Sequence, residues 1–93
     1  MPARPRNIIG PNLRRLRNER ELSQPDFAAA CQRLGWDISR DIVARIEGQT
    51  RWVADFELVT LARVLKLTPM DLLDRTEKVA LSLSRISKSS GGS

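Results

Sequence analysis

Three times along the 93-residue chain, an apolar residue precedes a Ser or Thr, and a second apolar residue follows four positions on. The sets are Leu22-Ser23 with Phe27, Ile38-Ser39 with Val43, and Leu67-Thr68 with Leu72. This is the spacing of a helix start. The hydroxyl accepts an otherwise unpaired N–H of the first turn, and the two apolar residues close over it as a hydrophobic staple. Asp26 and Asp71 stand three residues after their caps, where a carboxylate returns the capping contact. Asp41 lies in the first turn of the middle helix, where the helix dipole favours an acid. Pro69 suits a first helical position. Starts at these places leave room only for short helices with tight connections.

The remaining segments agree. Ile9, Leu13 and Leu16 recur on one helical face, and Gly10-Pro11 suits a start between Asn7 and Pro11, which predicts a first helix. In the second helix Phe27, Ala28, Cys31 and Leu34 share a face, and Gly35 is placed to end it as a left-handed cap. The third buries Val43 and Ile46, keeps Ile42 at the margin and closes at Gly48. A polar and aromatic loop, Gln49 to Ala54, leads to a fourth helix starting at Ala54 or Asp55. Its expected core face is Phe56, Leu58, Leu61, Ala62 and Leu65. A fifth, short helix ends near Asp74. Val79, Leu83 and Ile86 fit helical spacing, while Val79, Leu81 and Leu83 fit strand alternation equally well. The predicted fold class is all-α, with five helices. The predicted division is a flexible basic arm over 1–7, one domain over 8–75, and a short extension with a flexible tail over 76–93.

Composition narrows the function. A chain this short is expected to hold one domain and to bury only about 60–65% of the surface of its unfolded form. It has no His and a single Cys. The commonest general base and metal ligand is missing, and neither an internal disulfide nor a Cys-based zinc site can form. Neither a Ser/His or Cys/His arrangement nor a Gly-rich phosphate loop assembles, so the expectation is a protein without enzymatic activity, metal or cofactor. No apolar run has the length of a signal peptide or a membrane span, which predicts a cytoplasmic protein with no membrane partner.

The net charge of +5 is unevenly spread. Residues 1–20 carry six arginines against one acid, residues 21–75 are slightly acidic, and the basic excess belongs to the two ends. Thirteen of the sixteen basic residues are Arg, the type suited to forked contacts with phosphate and guanine.

Taken in order, Ile9-Gly10 with Leu13, Leu16 and Arg17, then Leu22-Ser23-Gln24 with Phe27-Ala28, then Ile38-Ser39 to Ile46-Glu47-Gly48, then Leu58, Leu61-Ala62, Leu65 and Leu72-Leu73 make an ordered set. Over residues 8–74 it resembles the helix-turn-helix domains of the phage Cro/repressor family, often called XRE-like. One departure stands out. Ser39 stands fifteen positions after Gln24, where the family pattern has about ten. The extra length falls in Ala30–Asp37, around Leu34-Gly35-Trp36, and predicts a longer second helix and a wider turn, with Trp36 over the gap.

The resemblance implies a five-helix repressor-like bundle in which the third helix enters the major groove of double-stranded DNA and the second braces it on the backbone. Arg40, Asp41, Ala44 and Arg45, opposite Val43 and Ile46, are the expected base contacts. Either Arg can fork onto guanine, Ala44 permits close approach, and Asp41 can accept from cytosine or orient an Arg. Gln24, Ser39, Thr50 and Arg51 are the expected phosphate contacts, and Arg17 and Glu47 the expected structural pair. The implied function is a homodimeric transcriptional regulator, most simply a repressor, with Trp52, the fifth helix and the Val79/Leu83/Ile86 stripe as candidate dimer surfaces. The alternative is a protein-interaction module of the same fold that has lost specific DNA binding.

Overall fold

Each of the three cap signals opens a helix. The computed structural model describes residues 4–73. Its elements are α1 (Gly10–Glu19), α2 (Gln24–Arg33), α3 (Arg40–Glu47), α4 (Asp55–Val64) and α5, which begins at 69 and is described to 73. No strand occurs among the described residues. Ser23 Oγ accepts from Asp26 N at 3.1 Å, and Ser39 Oγ from Ile42 N at 3.3 Å. Thr68 and Asp71 form a reciprocal box: the Asp71 carboxylate accepts from Thr68 N at 2.9 Å, and Thr68 Oγ1 accepts from Asp71 N at 3.3 Å. The Thr68 N–H and hydroxyl together hold the Asp71 carboxyl below the usual carboxylate range.

The helices also end alike. After α1, α2, α3 and α4 comes one left-handed residue: Glu21 (φ 56), Gly35 (φ 93), Gln49 (φ 62) and Lys66 (φ 58). In each case the next N–H reaches back five residues: Leu22 to Arg17 O, Trp36 to Cys31 O, Thr50 to Arg45 O and Leu67 to Ala62 O. These are Schellman closures. Gly35 takes the role expected of it. Gly48 does not turn left-handed (φ −82); that conformation falls one residue later, on Gln49.

The core gathers Leu13 and Leu16 of α1, Phe27 and Cys31 of α2, Val43 and Ile46 of α3, Leu61 and Leu65 of α4, and Leu72 of α5. Two expected core residues lie outside it. Leu34 is 43% exposed, because it caps α2 just where the chain turns away, and Trp36 packs against the core in its place. Phe56 is 69% exposed. It sits two residues, roughly 200° of helix, from Leu58, so it lies on the opposite side of α4.

The stretch from Gln24 to Ser39 divides into a ten-residue helix and a connection over 34–39. α2 is thus no longer than α1 or α4, and the extra length sits in the turn. At the N-terminus, Arg6 and Asn7 are anchored rather than part of a loose arm. Arg6 N donates to Gln49 O at 2.9 Å, and Asn7 Nδ2 donates to Ile46 O at 3.0 Å and Arg51 O at 2.9 Å. The Val79/Leu83/Ile86 stripe, the end of the fifth helix and the tail lie outside the described residues.

Candidate nucleic-acid interface

α3 is eight residues long and presents two different sides. Val43 and Ile46 are fully buried, which fixes the inner side against α1 and α2. Arg40, Asp41 and Arg45 are exposed on the outer side, and Ala44 is half-buried beside them. Arg40 Nη1 lies 3.6 Å from Asp41 Oδ1, with both side chains largely in solvent. The four expected base-contact residues therefore share one helix, three of them exposed.

Glu47, at the end of α3, collects the structural contacts. Arg17 Nε donates to Glu47 Oε2 at 2.6 Å and Arg17 Nη2 to Glu47 Oε1 at 3.1 Å. The third guanidinium nitrogen donates to Leu22 O at 2.6 Å, at the entry to α2. Gln24 Nε2 donates to Glu47 Oε1 at 3.1 Å. One buried carboxylate thus joins α1, the start of α2 and the end of α3. The Glu47 hydrogen bond, reinforced by its charge and opposed by burial, raises the Arg17 pKa further. Gln24, one of the expected phosphate contacts, spends one amide hydrogen here; an amide nitrogen carries two.

Asn7 and Gly10 hold the same end of α3 from the other direction. Asn7 Oδ1 accepts from Ile9 N and Gly10 N, opening α1, while its amide bonds the chain at Ile46 and Arg51. A Cβ on Gly10 would collide with the Ile46 and Glu47 carbonyl oxygens. Only glycine lets the two backbones approach this closely. Gln49 Nε2 completes the junction by donating to Asn7 O at 3.0 Å. Neither Asn7 nor Gln49 was singled out from the sequence. A helix-opening Asn is the one local signal that pointed to the former.

The remaining expected phosphate contacts divide. Ser39 uses its oxygen as a cap acceptor, which leaves the hydroxyl hydrogen to donate outward. Thr50 is exposed, with Oγ1 donating to Arg45 O at 3.3 Å. Arg51 is engaged within the protein. Its guanidinium forks onto Glu57 at 3.0 and 3.3 Å, donates to Trp52 O at 3.0 Å, and lies 5.9 Å from the Trp36 ring centroid. A guanidinium so engaged is held by its own protein. Burial pushes the Glu57 carboxyl up, but the bonds from Arg51 and Ala54 N and the Arg51 charge outweigh it and leave the carboxyl below the usual range.

The N-terminal arginines split in the same way. Arg15 pairs with Glu19 at 2.7 Å, Arg17 with Glu47, and Arg20 Nε caps α4 through Leu65 O at 2.9 Å. Arg4, Arg6 and Arg14 are exposed, and Arg4 and Arg6 line one hollow with Gly48, Gln49 and Thr50, beside the end of α3. Cys31 is buried, which pushes its thiol up to about 11, so it carries no thiolate chemistry near neutral pH. Among the described residues no group of His, Cys, Asp or Glu could hold a metal ion, and no helix is long and apolar enough to cross a membrane. A scan against family models and searches of curated proteins and solved structures give no match to this chain.

Proposed function

We propose that the protein binds double-stranded DNA sequence-specifically, with α2 and α3 as a helix-turn-helix and α3 in the major groove, and that it regulates transcription as a homodimer, most simply as a repressor. The observation that carries this reading is the two-sided character of α3. Arg40, Ala44 and Arg45 lie away from the buried Val43 and Ile46, on a helix whose end is tied to α1 and α2 through Glu47. A helix fits the major groove, and Arg40 and Arg45 supply the forked donors that read guanine. Gln24 and Ser39, at the first turns of α2 and α3, supply neutral donors for phosphates, and Thr50 after α3 adds one when its hydroxyl turns from Arg45 O to the backbone of the DNA. Arg4 and Arg6 add charge beside the end of α3. For the dimer, Trp52 is 70% exposed and borders an apolar hollow of about 250 Å³ with Ile8, Val53, Leu58 and Leu73.

The test is selection from random duplexes across a salt series. A DNA reader enriches one motif, and its affinity falls steeply with salt. Arg45→Ala relaxes the preference at one position, at a loss of about 1–3 kcal/mol. Enrichment of no motif, with only the weak binding of any basic chain, refutes the reading. The second reading is a protein-interaction module. It is favoured by the Arg40–Asp41 contact on the outer face, which places an acid where phosphates would lie, and by the exposed Ile8, Trp52, Phe56 and Met70. That module would bind a protein partner through these apolar residues and would show no motif.

A further inference from the structure

The widened turn and the loop after α3 meet at one point. Trp36 stands four residues ahead of α3, and Arg51 four residues behind it. The Arg51 guanidinium lies 5.9 Å from the Trp36 ring centroid, within the roughly 6 Å at which a ring face attracts a cation. On its other edge it forks onto Glu57 of α4. Glu57 is itself fixed, since Oε1 also accepts from Ala54 N at 3.0 Å. The backbone on both sides is held too: Trp36 N donates to Cys31 O at 3.1 Å, and Arg51 O accepts from Asn7 Nδ2 at 2.9 Å. The Arg51 and Glu57 side chains are 30% and 12% exposed, so the pair is shielded from much of the solvent screening that weakens surface ion pairs.

We propose that Trp36, Arg51 and Glu57 form a clamp that sets the angle at which α3 is presented, making Arg51 a positioning residue for sequence recognition rather than a phosphate ligand. This rests on the DNA-binding reading for its functional consequence, though not for its mechanical one. The need for a clamp follows from the fold. Val43 and Ile46 fix how deep α3 sits, and Glu47 fixes its C-terminal end. The N-terminal end is reached through the connection over 34–39 instead of a tight turn; the buried Ile38 and the bond from Gln32 Nε2 to Ile38 O at 2.8 Å hold the last step of that connection, while Ser39 caps the helix without reaching a neighbour. The helix is about 12 Å long. A small tilt about its anchored end therefore moves Arg40 further than Arg45. The clamp joins the N-terminal approach to the loop behind the helix and fastens both to α4.

Four variants separate the two roles: Arg51→Gln, Arg51→Lys, Glu57→Gln and Trp36→Leu. Amide hydrogen exchange on the free protein is read first. The clamp predicts at least about tenfold faster exchange over residues 42–47 in Arg51→Gln and Trp36→Leu, with α1 unchanged. Unchanged exchange in α3 in both variants overturns it, whether or not the wild type proves to bind DNA. On selected DNA, the clamp predicts that Arg51→Gln, Glu57→Gln and Trp36→Leu blur the preference at positions read by Arg40 more than at those read by Arg45, with the salt slope unchanged. Arg51→Lys keeps the charge but cannot fork onto Glu57, so it behaves like Arg51→Gln. A phosphate ligand gives the opposite result. Arg51→Gln then weakens all sequences alike and lowers the salt slope by about one, Arg51→Lys stays near wild type, and Glu57→Gln leaves the motif intact. That result also overturns the clamp. A wild type that enriches no motif defeats the DNA reading and leaves the exchange experiment to decide the clamp.

Discussion

α3 carries an arginine–carboxylate contact on each side, and the two could hardly differ more. Inside, Arg17 and Glu47 have side chains 9% and 3% exposed and meet in a fork as short as 2.6 Å. Outside, Arg40 and Asp41 are 61% and 77% exposed and 3.6 Å apart. The charges are the same; the surroundings decide what they do. A buried fork with every neighbour satisfied specifies how three helices meet, and losing one partner strands a charge. An exposed pair contributes little to the fold, and its groups can turn to a partner. The comparison breaks first at its largest difference. Arg17→Ala and Glu47→Ala should each lower unfolding stability by about 3–5 kcal/mol. The double variant should lose well under their sum, because the second change removes a charge the first left unpaired. Arg40→Ala should stay within about 0.5 kcal/mol of wild type. Urea melts of the four proteins check this, and additive losses at Arg17 and Glu47 would show that the two act separately.

Next in size is the backbone contact that lets the inner side close. Gly10→Ala puts a methyl against the Ile46 and Glu47 carbonyls, so α1 and the end of α3 must separate. Overpacking of this kind typically costs about 1–3 kcal/mol, and here it also loosens the Asn7 bonds to Ile46 and Arg51. A Gly10→Ala protein with the melting temperature of the wild type would mean that this junction yields freely.

Much of this architecture was legible in the sequence, and the division has a physical basis. Caps and staples are local: Ser23, Ser39 and Thr68 work within one turn, so their spacing alone predicts them. The exposed and buried sides of α3 follow from helical periodicity in the same way. The junction at Asn7 depends on partners 39 and 44 residues away, and the buried amide of Asn12 on Leu72, 60 residues away. No local pattern encodes such approaches. The misplaced Leu34 and Phe56 have a further cause. Both sit in the end turns of their helices, where face arithmetic is least reliable because the chain is entering or leaving the packed layer. The position of Arg51 after α3 suits a DNA contact; its partners Glu57 and Trp36 are visible only in three dimensions.

The inner side also has a distinct pH signature. With no His in the chain, pH dependence falls to its other ionisable groups. Burial raises the Cys31 thiol to about 11, so the folded protein keeps a proton that the unfolded chain releases near pH 8.5–9. The stability this represents is complete below the unfolded value and is lost as pH rises towards 11, a fall of about 2–3 kcal/mol. Chemical denaturation between pH 8 and 11 should show the fall in the wild type and much less of it in Cys31→Val, which fills the same space without a titrating group. Parallel slopes would assign the alkaline loss to other groups.

The smallest expected effects test whether the junction behind α3 differs from the other helix ends. Glu21, Gln49 and Lys66 all hold a left-handed conformation that an L-residue adopts at about 1–2 kcal/mol, partly offset on changing to glycine by its greater freedom in the unfolded chain. At Lys66, which is exposed, Lys66→Gly should therefore gain about 0.5–1 kcal/mol. Glu21→Gly should behave alike, after α1. Gln49→Gly should gain less or lose, because its side chain donates to Asn7 O and lies against the Gly10 backbone, so relief of strain is cancelled by an open junction. The ordering of the three melting temperatures, with Gln49→Gly lowest, is the measurement. Equal gains at all three would show that the Gln49 side chain adds nothing, and that α3 is held at its C-terminal end by Glu47 and Asn7 alone.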